Sequence, residues 1–148
     1  MRRYVFDTNV YIRAWRNPDT DGTDLERFHR SHVAATHLSS VVLHELVLGS
    51  NNPKMARDLI TGLAYPFKRT RRVVAPSHSA WVQAADVIAQ LAWHDGLDRS
   101  ALPRGFVNDA LIAASCRENG LTLITENERD FSRIQKRMKF EFVAPWPS

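Results

Sequence analysis

Residues 4–10 read Tyr4-Val5-Phe6-Asp7-Thr8-Asn9-Val10. Three β-prone side chains make a short strand, and Asp7, Thr8 and Asn9 end it with groups that form turns or start helices, before the apolar Val10, Ile12 and Trp15. The same succession of strand and helix recurs along the chain. The turn cluster Asn17-Pro18-Asp19-Thr20-Asp21-Gly22 precedes an expected helix over 24–32 and a second strand over 33–38. Ser39 or Ser40 then caps a helix over 41–48, closed by Gly49, a residue that tolerates the left-handed conformation. A further helix is expected over 53–64 and a third strand at Val73-Val74. Trp81, Ala84, Ala85, Ile88, Leu91 and Ala92 recur with helical spacing and predict a core-facing helix. A loop over 96–104 leads to a helix over 106–118, a buried strand over 121–125, a loop with a short helix over 126–137, and a last strand over 140–143. Strands alternating with helices predict an α/β fold: a mostly parallel β-sheet flanked by α-helices on both faces.

At 148 residues, with 44% hydrophobic and 24% charged side chains, the chain has the composition of one ordinary domain spanning 1–148. It contains no apolar run of about 18 residues, and its N-terminus passes from two arginines into Tyr4-Val5-Phe6 without a signal-peptide core, so no membrane contact and a cytoplasmic location are expected. The single cysteine, Cys116, sits in an alanine-rich helical stretch and reads as a buried structural thiol. A net charge of +4 is compatible with an anionic partner, and basic residues cluster at Lys68, Arg69, Arg71 and Arg72 and at Arg133, Lys136, Arg137 and Lys139. For each run a solvated surface is the competing explanation.

Several acids stand among apolar neighbours, where a charge is costly without a partner. Glu45 is flanked by Leu43, Leu46, Val47 and Leu48, and must turn to solvent or enter a polar pocket. Asp109 stands beside Phe106, Val107, Leu111 and Ile112; taken alone, helix capping is its simplest explanation, and Asp7 is equally acceptable as an N-cap. Carboxylates about 4 Å apart repel by roughly 1 kcal/mol in water and about 4 kcal/mol at an effective dielectric near 20. A hard divalent cation, Mg²⁺ or Mn²⁺, offsets that repulsion and prefers oxygen ligands. Other chemistries fit less well. His44-Glu45 lacks the second histidine of a zinc-protease motif because Leu48 stands at that position, Asn9 replaces the second acid of an aspartyl phosphatase, and there is no glycine-rich phosphate loop.

Phe6-Asp7-Thr8-Asn9-Val10, Ser40-Val41-Val42-Leu43-His44-Glu45-Leu46 and Asn108-Asp109-Ala110-Leu111-Ile112-Ala113-Ala114 resemble the three acidic motifs of PIN-domain nucleases. Gly120-Leu121-Thr122-Leu123-Ile124-Thr125-Glu126-Asn127, leading to Asp130-Phe131, continues the resemblance over nearly the whole chain. Within that family the chain is most similar to VapC-type toxins. The resemblance implies an RNA endonuclease with an antitoxin partner, dependent on Mg²⁺ or Mn²⁺ held by Asp7, Glu45 and Asp109, with phosphodiester hydrolysis as its reaction. For the fourth ligand both Asp130 and Asn127 stand open, since many relatives carry Asp where this chain has Asn127. Glu126 and Glu128 read as exposed loop acids. Arg104, Arg129 and Arg133 lie near the motifs in sequence, but for any one of them surface solvation outweighs contact with an RNA phosphate. Thr8, Asn9 and Thr125 either orient the acids or simply form turns and caps. A catalytically silent binding domain and an RNA-processing nuclease outside a toxin–antitoxin pair are the alternatives. The apolar stripes of the helices at 53–64 and 81–91 serve either a core, a homodimer or an antitoxin groove.

Overall fold

In a computed structural model of residues 1–148, the first strand and helix fall where the sequence places them. β1 (Tyr4–Phe6) is wholly buried, and α1 (Thr8–Arg16) starts immediately after Asp7, whose Oδ1 accepts from the Thr8 amide. The chain continues through α2 (Asp21–Ser31), β2 (Thr36–Ser39), α3 (Ser40–Leu48), α4 (Pro53–Arg57), a π-helical stretch (Asp58–Leu63), α5 (Ala64–Arg69) and β3 (Val73–Val74). It ends with α6 (His78–His94), α7 (Arg104–Asn119), β4 (Thr122–Ile124), α8 (Glu128–Gln135) and β5 (Glu141–Val143).

The strands form one sheet in the order β3-β2-β1-β4-β5, and every neighbouring pair is parallel. Tyr4 pairs with Thr36 on one side and with Thr122 on the other, so β1 lies at the centre. The first half of the chain builds outward from β1 to β3, then crosses back to lay β4 and β5 on the opposite side. Because parallel crossovers are right-handed, this reversal sends the two sets of helices to opposite faces. The packing follows this division, with α1 against α2 and α3 and α6 against α7 and α8, and α3 also meets α7. At such a reversal the loops leaving adjacent strands diverge and open a crevice at their carboxyl ends. Here that crevice lies between β1 and β4.

The core joins both faces. β4 is buried throughout, and α7 is buried without a break from Asp109 to Cys116, as befits a central helix whose Ala110, Ala113 and Ala114 admit close neighbours. Burial pushes the Cys116 thiol up to about 12, so it is an inert core group.

Several boundaries differ from the sequence reading for physical reasons. α2 begins at Asp21 instead of 24, and Gly22 serves close packing, since a Cβ there would stand 2.8 Å from the Ala14 carbonyl oxygen. Residues 33–35 form a 3₁₀ turn, so the second strand starts only at Thr36. α3 has its N-cap at Ser39, but Gly49 at its end has φ −83°, in the right-handed region, so the expected left-handed terminator is absent. The helix expected over 53–64 continues to Arg69 through a widened turn. Pro66 lacks an N–H and would crowd the carbonyl of Gly62 in a regular α-helix, a conflict that the π-helical segment relieves. On α6 the buried stripe is Ala80, Ala84, Val87 and Leu91, while Trp81 faces solvent.

Candidate active site

The crevice is a cleft of about 470 Å³ lined by Asp7, Glu45, Asp109 and Asp130, among others. Asp7 reaches it from the end of β1, Glu45 from the middle of α3, Asp109 from α7 and Asp130 from the first turn of α8. All four acids singled out in the sequence therefore meet one space, together with Asn127. Glu126 and Glu128 lie outside it, and Glu126 pairs with Arg13 at 3.2 Å.

Asp7 is almost fully buried and held on both oxygens. Thr125 Oγ1 donates to its Oδ2 at 2.7 Å, Asn9 Nδ2 donates to the same atom at 3.1 Å, and the Thr8 amide donates to Oδ1 at 2.8 Å. Thr125 is itself fixed, because its Oγ1 accepts from the Asn127 amide at 2.9 Å. Burial raises the Asp7 pKa above the ordinary carboxylate value, against these hydrogen bonds, and the charge of Glu45 adds to the rise. Glu45 is half-buried, and its Oε1 accepts from Thr8 Oγ1 at 2.8 Å, which ties α1 to α3 across the cleft. Thr8, Asn9 and Thr125 thus orient the acids in addition to shaping the turn.

Asp109 is the sixth residue of α7, whose N-cap is Pro103, so the capping explanation for Asp109 fails. The residue is only 8% exposed, and desolvation, followed by the charges of Asp7, Glu45 and Asp130, pushes its pKa up to about 8. Asn127 bridges two of the acids: Nδ2 donates to Asp109 Oδ2 at 3.3 Å and to Asp130 Oδ2 at 3.1 Å. Its Oδ1 caps α8 by accepting from the Asp130 amide at 3.3 Å.

No three His, Cys, Asp or Glu side chains approach closely enough to make a ready-made ion cage. The acids surround a cleft and do not converge on one point. This spacing, with an all-oxygen acidic donor set, suits a hard cation that keeps part of its water shell, as Mg²⁺ does, better than a closed site such as structural zinc.

Sequence reasoning underrated one part of the cleft. Arg129 and Arg133 line it along with Phe106, whereas Arg104 does not. The signal lay in the four-residue spacing of the two arginines beside Asp130, which places them on one helical face.

A parallel α/β domain whose switch-point cleft collects four acids, in a chain without a glycine-rich phosphate loop, defines an acid-cluster class of α/β proteins. Within that class the chain belongs to the PIN domain family, whose model matches residues 4–137. It is 27% identical over 138 residues to the tRNA(fMet)-specific endonuclease VapC of Shigella flexneri, covering 90% of this chain and 93% of that protein. It is also 28% identical over 136 residues to ribonuclease VapC2 of Rickettsia felis, covering 88% and 91% respectively. Among solved structures, a chain of DNA-bound VapBC from Salmonella typhimurium superposes with a TM-score of 0.70 at 21% identity, over 97% of this chain and 98% of that one. That likeness bears on the fold.

Proposed function

We propose that this protein is an endoribonuclease dependent on Mg²⁺ or Mn²⁺, the toxin of a VapBC-type pair, with Asp7, Glu45, Asp109 and Asp130 as its metal-binding acids. The observation that carries this reading is the Asp109 carboxyl, buried and pushed up to about 8 by desolvation and by three other acids of the same cleft, an arrangement that gains most from a divalent cation. The names of the two curated relatives supply the substrate class, RNA, and the VapBC complex supplies the antitoxin as partner.

A divalent ion in this cleft would supply Lewis-acid activation of water and charge compensation at the phosphate. The chain's own residues do the rest. Thr125 and Asn9 fix the Asp7 carboxylate in one rotamer, and Thr8 does the same for Glu45. Asp109 gives up its proton on loading, so metal affinity rises with pH up to about 8. Asn127 holds Asp109 and Asp130 through its Nδ2; with that nitrogen turned to the acids and its Oδ1 at the α8 cap, Asp130 is the better fourth ligand and Asn127 the residue that positions it. The exposed Trp81, Val82 and Trp93 of α6 offer a face for a second chain, which suits a homodimer.

Incubation of the antitoxin-free protein with total RNA tests this reading. Cleavage in Mg²⁺ or Mn²⁺ that stops in EDTA and returns on adding the ion is expected. Undiminished cleavage in EDTA, or none in either ion by folded protein, contradicts it.

A further inference from the structure

Several arginines spend their N–H donors on the protein itself. Arg13 pairs with Asp21 and Glu126, and Arg137 grips Asp95 with two bonds of 2.7 and 3.0 Å. Arg72 donates to the carbonyls of Val33 and Thr36, and Arg117 to that of Lys139. Arg129 and Arg133 are different: both line the acidic cleft, and neither side chain makes a hydrogen bond or ion pair with the protein. They stand four residues apart on α8, on the face that carries Asp130. Even Asp130, three residues from Arg133, is bonded by Asn127 and not by an arginine.

Arg133 is also held in place. Its guanidinium carbon lies 5.4 Å from the centroid of the Phe106 ring, itself a buried residue of α7 that lines the same cleft. An aromatic face orders a guanidinium through its quadrupole without using any of its N–H donors. The planar donor fork therefore remains available at the cleft wall, in the geometry that suits bidentate binding of a phosphate. A carboxylate site alone repels an RNA strand, and the unspent cations beside it supply the opposite charge.

We infer that Arg129 and Arg133 form a phosphate-binding site on α8 that holds the RNA backbone phosphate next to the one cleaved, with Phe106 as the platform that sets the Arg133 guanidinium. This inference rests on reading the cleft as a ribonuclease site. Arg133 is the stronger contact because it is half-buried and oriented, and Arg129 is the outer one.

Binding of a fluorescent single-stranded RNA oligonucleotide to an Asp7→Asn protein in Mg²⁺, measured over a range of salt concentrations, tests it. Adding Arg129→Ala and Arg133→Ala is expected to weaken binding about tenfold or more and to flatten the log Kd against log salt slope by about 0.7 per lost phosphate contact. Arg133→Lys should keep the slope and lose part of the affinity. Lys136→Ala with Lys139→Ala, which removes the same two charges outside the cleft, should change neither. An unchanged Kd and slope in the arginine double-alanine protein, or an equal loss with the Lys136→Ala and Lys139→Ala pair, overturns the inference. With Asp7 intact, the double-alanine change should raise KM for RNA cleavage and leave kcat within about threefold. If Asp7-intact protein cleaves RNA and the arginine changes alter neither binding nor KM, only the phosphate site falls. If it cleaves no RNA in any ion, the ribonuclease reading itself falls, while the binding slopes still decide the role of the arginines.

Discussion

An aspartate on the second turn of a buried helix, only 8% exposed and facing three other acids, is unstable as an anion unless a cation joins it. Asp109 ionises at about 8 in the metal-free fold against 3.8 as a free side chain, so the folded protein holds one more proton than the unfolded chain between those values. Metal-free stability therefore falls as pH rises from about 4 through about 8, and levels off above. Asp109→Asn removes the charge that causes this fall. In EDTA at pH 8.5 the variant should melt about 5 °C above the parent, with the gap closing toward pH 4, as thermal denaturation followed by circular dichroism would show. A variant that melts lower at pH 8.5 would mean that Asp109 is not under electrostatic strain. Glu45 is conspicuous by itself as an acid among apolar residues, whereas Asp7 and Asp109, each explicable alone as a helix cap, become legible only through the ordered motifs they share with it. Asn127 is not legible in the same way: its Nδ2 bonds to Asp109, 18 positions earlier in the chain, and only folding brings them together.

Two glycines close helices of this fold by different means, and the difference can be measured. Gly120 ends α7 with φ +62° in the left-handed region, and a Cβ there would meet nothing nearer than Arg3 Nη2 at 3.6 Å. Gly120→Ala thus suffers backbone strain alone, about 1–2 kcal/mol, which should lower Tm by a few degrees. Gly49 has φ −83° at the end of α3, and Gly49→Ala should change stability by less than about 0.5 kcal/mol. Comparable losses from both substitutions in urea unfolding would contradict these backbone conformations. At this scale local sequence locates nearly every element, since strand and helix periodicities are local. It misjudges details that neighbouring elements decide. Gly22 has the look of a turn residue but lets α2 approach α1, and Trp81 has the spacing of a core residue but turns outward because Ala80, Ala84, Val87 and Leu91 form the buried stripe.

Strand order is a property of the whole molecule, and alternation of strands and helices announces a parallel sheet without revealing it. The order β3-β2-β1-β4-β5 depends on pairings such as Tyr4 with Thr122, which no local pattern contains. That order has the chemical consequence. It sets the ends of β1 and β4 side by side, so Asp7 and the segment carrying Asn127 and Asp130 share one crevice, and it brings α3 and α7 together over it with Glu45 and Asp109. Thr125, directly after β4, bonds to Asp7, directly after β1, and this joins the two halves of the site across the switch point. The cleft, with its four acids, is thus a product of topology. The most direct test is the single-turnover rate of RNA cleavage in saturating Mg²⁺ by wild-type and Asp7→Asn protein, each shown to be folded by circular dichroism. A loss of about 10³-fold or more in the variant with its melting curve intact is the expected result; equal rates for the two proteins would contradict the carboxylate site.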